Sequence, residues 1–303
     1  MRLTWPAAAC HNSVAAAGQK GRAFPSPPEH DMTRFVHLTD LHFSASPADD
    51  PDLRSDTPAT LEAVLDSLDG LSPAPDFVLL TGDLTNHGEA ESYAGLRRRL
   101  KRLQAPVIAV PGNHDARGAF RSAFLREDAS EAPCLSETVL AGAHVIGLDS
   151  SWHGHVGGRL EPEQLAFLDA ALDRHPGLPK LIAMHHGPAL SDAPEAEWES
   201  LTRADTARLG QVIGGRPVAG IFTGHIHLDR LAIWLGIPVI TTTGLHCTHD
   251  PRPGPDLVAL SGASVALCAL APELSVTWMP LPSDRREIAR IPRALIAGHD
   301  ATA

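Results

Sequence analysis

Five short apolar runs in this chain break off in the same way, into side chains rich in lone pairs. Phe35 to Leu38 leads into Thr39-Asp40-Leu41-His42, and Phe77 to Leu80 into Thr81-Gly82-Asp83. Val107 to Val110 leads into Pro111-Gly112-Asn113-His114-Asp115, Leu181 to Met184 into His185-His186-Gly187, and Val218 to Phe222 into Thr223-Gly224-His225-Ile226-His227. Helical spacing of apolar residues at about 58–69, 88–103, 162–174 and 202–213 separates these runs and a sixth, His144 to Leu148, which is the rhythm of an α/β fold. In an open α/β sheet the carboxyl ends of the strands share one edge, so five loops distant in sequence converge on one crevice.

The residues gathered there are ones that metal chemistry requires. Asp oxygens, an Asn carbonyl and neutral imidazoles suit borderline divalent cations such as Mn, Fe, Zn or Co. Cysteine takes no part: Cys10, Cys134, Cys247 and Cys268 lie far apart with no C-x-x-C spacing, which argues against a disulfide framework and a cysteine zinc knot. Asp40, His42, Asp83, Asn113, His185, His225 and His227 are seven candidate ligands, whereas a single tetrahedral catalytic zinc takes three from the protein. Two ions sharing one carboxylate fit that count. Alternate residues of an extended segment point the same way, so each D-x-H or H-x-H pair is expected to face one centre and His186 to point away from His185. Asp and His after strands are also ordinary turn and capping residues; the recurrence at five strand ends favours the ligand reading.

The series D-x-H, G-D, G-N-H-D, H-H and G-H-x-H, over residues 40–227, resembles the calcineurin-like metallophosphoesterases. Within them it is most similar to the bacterial branch of class III cyclic-nucleotide phosphodiesterases and related glycerophosphodiesterases. The resemblance implies a four-layer αββα sandwich of two mixed β-sheets flanked by helices. It implies one metal held by Asp40, His42 and His227, a second by Asn113, His185 and His225, and Asp83 bridging them. His114 would face the leaving group with Asp115 orienting it, and these two are the candidate catalytic residues. Two such ions clamp a phosphate and bring a bound water towards neutral pKa, and a histidine acid adds about 10² to 10⁴ in rate. Hydrolysis of a phosphodiester is the leading expectation, the substrate being a 3',5'-cyclic nucleotide or a small phosphodiester. The alternatives are a phosphomonoesterase or nucleotide pyrophosphohydrolase of the same fold, and a non-catalytic metal-binding scaffold. Many relatives carry two prolines after the double histidine where this chain has Gly187-Pro188, which leaves the shape of the substrate side open.

Some positions keep two readings. Asp115 stands where a helix near Ala116 would take a cap. His186, His246 and His249 either touch the site or simply pack. The Arg97-Arg98-Arg99-Leu100-Lys101-Arg102 run closes a predicted helix, where cations complement the dipole.

Charge excludes other partners. With 25 Lys plus Arg against 36 Asp plus Glu, the net of −11 gives no field for a nucleic-acid polymer or an acidic membrane, so bound metals must supply the positive charge that draws a phosphate ester. No apolar run reaches the roughly 18 to 20 residues of a membrane span and the first residues lack a secretory pattern, so a soluble cytoplasmic protein is expected. Residues 1–31, small and proline-rich, read as a disordered extension, either an over-long reading frame before Met32 or a short regulatory tail. Residues 32–279 read as a single domain and 280–303 as a tail without firm signal. The closely spaced segments Leu231 to Leu235, Ile237 to Thr241, Leu257 to Leu260, Val265 to Leu270 and Leu274 to Trp278 read as consecutive antiparallel strands. Oligomeric state is not legible, and a homodimer is compatible with everything above.

Overall fold

The apolar runs become strands covered on both faces, as parallel strands must be. The computed structural model describes residues 32–191, 198–271 and 273–300; the extension read over residues 1–31 lies outside them. In chain order the elements are β1 (Thr33–Leu38), α1 (Thr57–Asp69), β2 (Phe77–Thr81), α2 (Ala90–Leu100), β3 (Val107–Val110), α3 (Arg117–Phe120), β4 (Ser136–Leu140), β5 (Ala143–Gly147), α4 (Pro162–Asp173), β6 (Lys180–Ala183), α5 (Arg203–Ile213), β7 (Val218–Thr223), β8 (Arg230–Trp234), β9 (Ile237–Thr241), β10 (Thr248–His249), β11 (Asp256–Leu260), β12 (Ser264–Leu270), β13 (Leu274–Pro280), β14 (Glu287–Pro292) and α6 (Arg293–Asp300).

Two mixed sheets carry the fold. The first has the order β13-β12-β1-β2-β3, with β1, β2 and β3 parallel and β12 antiparallel to β1. The second has the order β4-β5-β6-β7-β9-β8, parallel from β5 through β9 with an antiparallel strand on each edge. Strand parity sorts the side chains into layers. Phe35, Phe77 and Leu79 of the first sheet meet Val145, Leu181, Phe222 and Ile240 of the second in the middle of the sandwich. Their neighbours Val36, Val78 and Leu80 face Leu61, Leu65 and Leu96 of α1 and α2 instead. On the far side Ile146, Ile182 and Ile221 pack against Leu168 of α4 and Leu209 of α5. Helix, sheet, sheet, helix is therefore the layer order.

Helix starts follow from capping chemistry. Asp56 accepts from the Ala59 amide at 3.0 Å at the head of α1, and Glu161 with Gln164 forms a capping box on α4. The arginines that end α2 pair with α1: Arg99 meets Glu62, and Arg102 beyond the helix meets Glu62, Asp66 and Asp69. None of the described helices is long and apolar enough to cross a membrane.

The C-terminal half differs from the expected antiparallel series. β8 with β9 and β12 with β13 are antiparallel hairpins, but they complete different sheets, and β11 leaves both to join β10 and β14 in a third, three-stranded sheet. β14 falls in the segment that gave no signal. Its residues are mostly exposed and it is held by backbone pairing to β11 and by ion pairs such as Arg290 with Asp256, so no apolar alternation marks it.

Candidate metal centre

The carboxyl ends of both sheets face one cleft. Asp40, Asp83 and Asn113 follow β1, β2 and β3 of the first sheet, while His185 follows β6, and His225 and His227 follow β7, of the second. Backbone bonds draw the loops together: the Asp40 amide donates to the Gly82 carbonyl at 3.0 Å and the His42 amide to the Asp83 carbonyl at 2.9 Å. The His225 amide donates to Asp40 Oδ2 at 3.0 Å and so closes the gap between sheets.

The D-x-H and H-x-H pairs are not extended. Asp40, His42, Asp83, His225 and His227 all have positive φ, between 41° and 73°. Left-handed backbone costs a residue with a Cβ about 1 to 3 kcal/mol, and such strain gathers where surrounding structure over-determines a functional group. Both members of a pair therefore reach the cleft because the chain curls. Close approach explains two of the motif glycines: a Cβ on Gly112 would lie 2.2 Å from Asp83 Oδ1, and one on Gly224 would lie 2.5 Å from Asp40 Oδ2.

Each imidazole has one nitrogen fixed by an oxygen. His42 Nδ1 meets Asn86 Oδ1 at 2.9 Å, His185 Nδ1 meets the Thr81 carbonyl at 2.7 Å, and His227 Nδ1 meets the Cys247 carbonyl at 3.1 Å. His225 is turned the other way, with Nε2 at 2.7 Å from the Trp198 carbonyl. A nitrogen that donates to such an oxygen leaves its partner nitrogen with a free lone pair, which is how proteins orient histidine ligands. The inward atoms lack other partners: His42 Nε2, His185 Nε2 and Asn113 Oδ1 are buried with no hydrogen bond. Asp83 Oδ2 lies 3.6 Å from His42 Nε2 and 3.2 Å from His185 Nε2, between ligands of different sheets, and Asp40 Oδ1 lies 3.3 Å from His227 Nε2. With the imidazoles neutral, these inward atoms and the two buried carboxylates are all acceptors with no hydrogen-bond donor among them, and the ligand set is that of a divalent cation site.

The electrostatics agree. Burial disfavours charge on His185, yet Asp83 outweighs it and pushes this imidazole up to about 9. Burial would also raise Asp83, but His185, His114 and His42 hold it well below the usual carboxylate range. Cations and protons therefore compete for the same lone pair on His185.

Six of the seven candidate ligands lie against one another, and Asn113 follows β3 on the same edge with its Oδ1 buried and unpartnered. His114 is exposed at the mouth of the cleft, its amide donating to Asp83 Oδ1 at 2.9 Å and its ring edge-on to His42 at 4.6 Å. Orientation of this ring, expected from Asp115, falls instead to the Asn86 carbonyl, 2.8 Å from His114 Nδ1. Asp115 does not cap a helix either. Its carboxylate accepts from the amides of Leu84 at 3.0 Å, Thr85 at 3.2 Å and Gly112 at 2.9 Å, and from the Tyr93 hydroxyl at 2.6 Å. It staples the loop after β2 to the loop after β3, and burial, with the Asp83 charge, pushes it up to about 6.

The open histidines are also placed. His186 has both nitrogens engaged, with Ser150 Oγ at 2.9 Å and the Val156 carbonyl at 3.0 Å, and its ring packs on His225. His249 bonds the Ile226 carbonyl at 2.9 Å and stacks on His227, so it braces a candidate ligand from behind. His246 enters the cleft, its ring 4.7 Å from His42, and with Nε2 accepting the Arg54 amide at 3.2 Å its Nδ1 carries the proton. Sequence reasoning missed Asn86, Thr81, Trp198 and Cys247; three act through backbone carbonyls, which leave no side-chain signature, and only the polar Asn86 just after the G-D motif could have been suspected.

Such a cleft, with imidazoles and carboxylates of two sheets aimed at a common centre, defines a metal-dependent hydrolase. The chain belongs to the calcineurin-like phosphoesterase family, whose model matches residues 33–229, and it is accordingly a hydrolase of phosphoric esters. A "Probable cyclic nucleotide phosphodiesterase" of Rhodococcus erythropolis is 34% identical over 229 residues, covering 74% of this chain and 73% of that protein. A "cAMP/cGMP dual specificity phosphodiesterase" of Mycobacterium tuberculosis is 32% identical over 236 residues, covering 73% and 71%. Among solved structures, a dimetal phosphatase from Danio rerio shares the fold, with a TM-score of 0.57 at 15% identity over 80% of this chain and 98% of that one.

Proposed function

We propose that the protein hydrolyses a phosphodiester at two divalent ions, and that a 3',5'-cyclic nucleotide is its substrate. The observation that carries the two-ion reading is the place of Asp83 Oδ2, within 3.6 Å of His42 Nε2 and 3.2 Å of His185 Nε2. Asp40, His42 and His227 would hold one ion, Asn113, His185 and His225 the other, and Asp83 both. Ions held there neutralise the phosphate and lower the pKa of a coordinated water. Mn, Fe, Zn and Co all suit these donors. The substrate reading rests on the likeness to the two bacterial cyclic-nucleotide phosphodiesterases. A cytoplasmic location goes with it, since cyclic nucleotides form from cellular nucleoside triphosphates.

The protein's own residues do the rest. Asp83 draws the His114 amide to itself and so places that ring beside the metal pocket. His114 Nδ1 is committed to the Asn86 carbonyl, which leaves Nε2 to protonate the departing alkoxide. The test is a panel of cyclic nucleotides, glycerophosphodiesters, nucleoside monophosphates and dinucleoside pyrophosphates with Mn, before and after chelation. Diesters are expected to turn over, cyclic nucleotides fastest, with activity lost to chelator. Faster cleavage of monoesters or pyrophosphates would overturn the substrate reading, and no hydrolysis of any ester, bis-p-nitrophenyl phosphate included, would favour a scaffold.

A further inference from the structure

Asn86 serves two functional rings at once. Its side-chain oxygen is 2.9 Å from His42 Nδ1, and its backbone carbonyl is 2.8 Å from His114 Nδ1. A side-chain amide has an oxygen end and a nitrogen end, and the choice between them decides the state of His42. With oxygen towards the ring, His42 carries its proton on Nδ1 and leaves the Nε2 lone pair for the cleft. Flipped, the amide would donate to Nδ1, drive the proton to Nε2 and cancel the ligand.

Asp50 weighs against the flip, in which Asn86 Oδ1 would face its carboxylate with only His87 Nε2, 3.1 Å from Asn86 Nδ2, left to donate to it. Asp50 Oδ2 accepts from Asn86 Nδ2 at 3.0 Å, and a carboxylate has nothing to donate to a flipped amide oxygen. Asp50 lies in the loop between β1 and α1, yet its side chain is only 5% exposed. Its other oxygen is held by His87 Nε2 at 3.0 Å and by the Asp52 amide at 3.1 Å.

We propose that Asp50 is a positioning residue: by favouring one orientation of the Asn86 amide it sets the tautomer of His42 and steadies the residue that seats His114. This rests on the metal-site reading under Proposed function. The first experiment is the ¹⁵N spectrum of the wild-type histidines in the metal-free protein, where His42 is expected as the Nδ1–H tautomer; the Nε2–H tautomer overturns the proposal. The second is calorimetric titration with Mn. Changes in residues behind a ligand cost about 10- to 100-fold in metal affinity, so Asp50→Ala is expected to weaken one of the two ions by that factor and leave the other unchanged. Asp50→Asn, whose amide can donate to a flipped Asn86 oxygen as readily as it accepts from Asn86 Nδ2, is expected to recover little of the loss. Wild-type affinity in Asp50→Ala or in Asp50→Asn overturns the role of Asp50. An Asp83→Asn control separates the two readings: if it loses metal while Asp50→Ala does not, only the positioning role falls, and if it binds both ions normally the site reading falls with it.

Discussion

Asp83→Asn is expected to release both ions and to cut turnover by roughly 10³-fold or more, since metal ions contribute several kcal/mol of charge stabilisation and about 1.4 kcal/mol is tenfold in rate. The side chain is 2% exposed and stands between His42 and His185, so one charge faces both halves of the site. Its other oxygen accepts the His114 amide. An asparagine keeps the shape but removes the charge and one acceptor, and it would also relieve the pull that raises His185 to about 9. Metal content after gel filtration, read beside the hydrolysis rate, checks this. Loss of one ion alone would assign Asp83 to a single metal.

His114→Ala is expected to keep both ions and lose about 10² to 10⁴ in turnover, the range of a positioned proton donor. The ring is exposed, is anchored through Nδ1 to Asn86 and contributes none of the buried unpartnered nitrogens. Leaving-group chemistry gives the sharper reading. A nitrophenolate departs without a proton whereas an alkoxide needs one, so the variant is expected to suffer far more with an alkyl ester than with bis-p-nitrophenyl phosphate. An equal loss on both, or a missing ion, would make His114 a structural or ligating residue.

The strands and the cleft were legible because both are written in short-range pattern. Buried parallel strands read as unbroken apolar runs, and the turn after each carries its Asp, Asn or His immediately. What stayed hidden depends on backbone geometry or distant partners. An extended chain would bring Asp40 and His42 to one side, yet left-handed φ values are what pair them. Adjacency in sequence would make Asp115 a partner for His114, whereas its carboxylate gathers amides from residues 84, 85 and 112. Carbonyl partners such as Thr81 and Trp198 are chosen by tertiary position alone, and β14 buries none of its residues, so no core-facing stripe marks it.

The central claim is a two-ion site built from both sheets. Elemental analysis of the wild-type protein after equilibration with excess Mn and removal of free metal tests it most directly. Two ions per chain are expected, falling together in Asp83→Asn and singly in His227→Ala or His185→Ala. One ion or none at saturation in the wild-type protein would contradict the account.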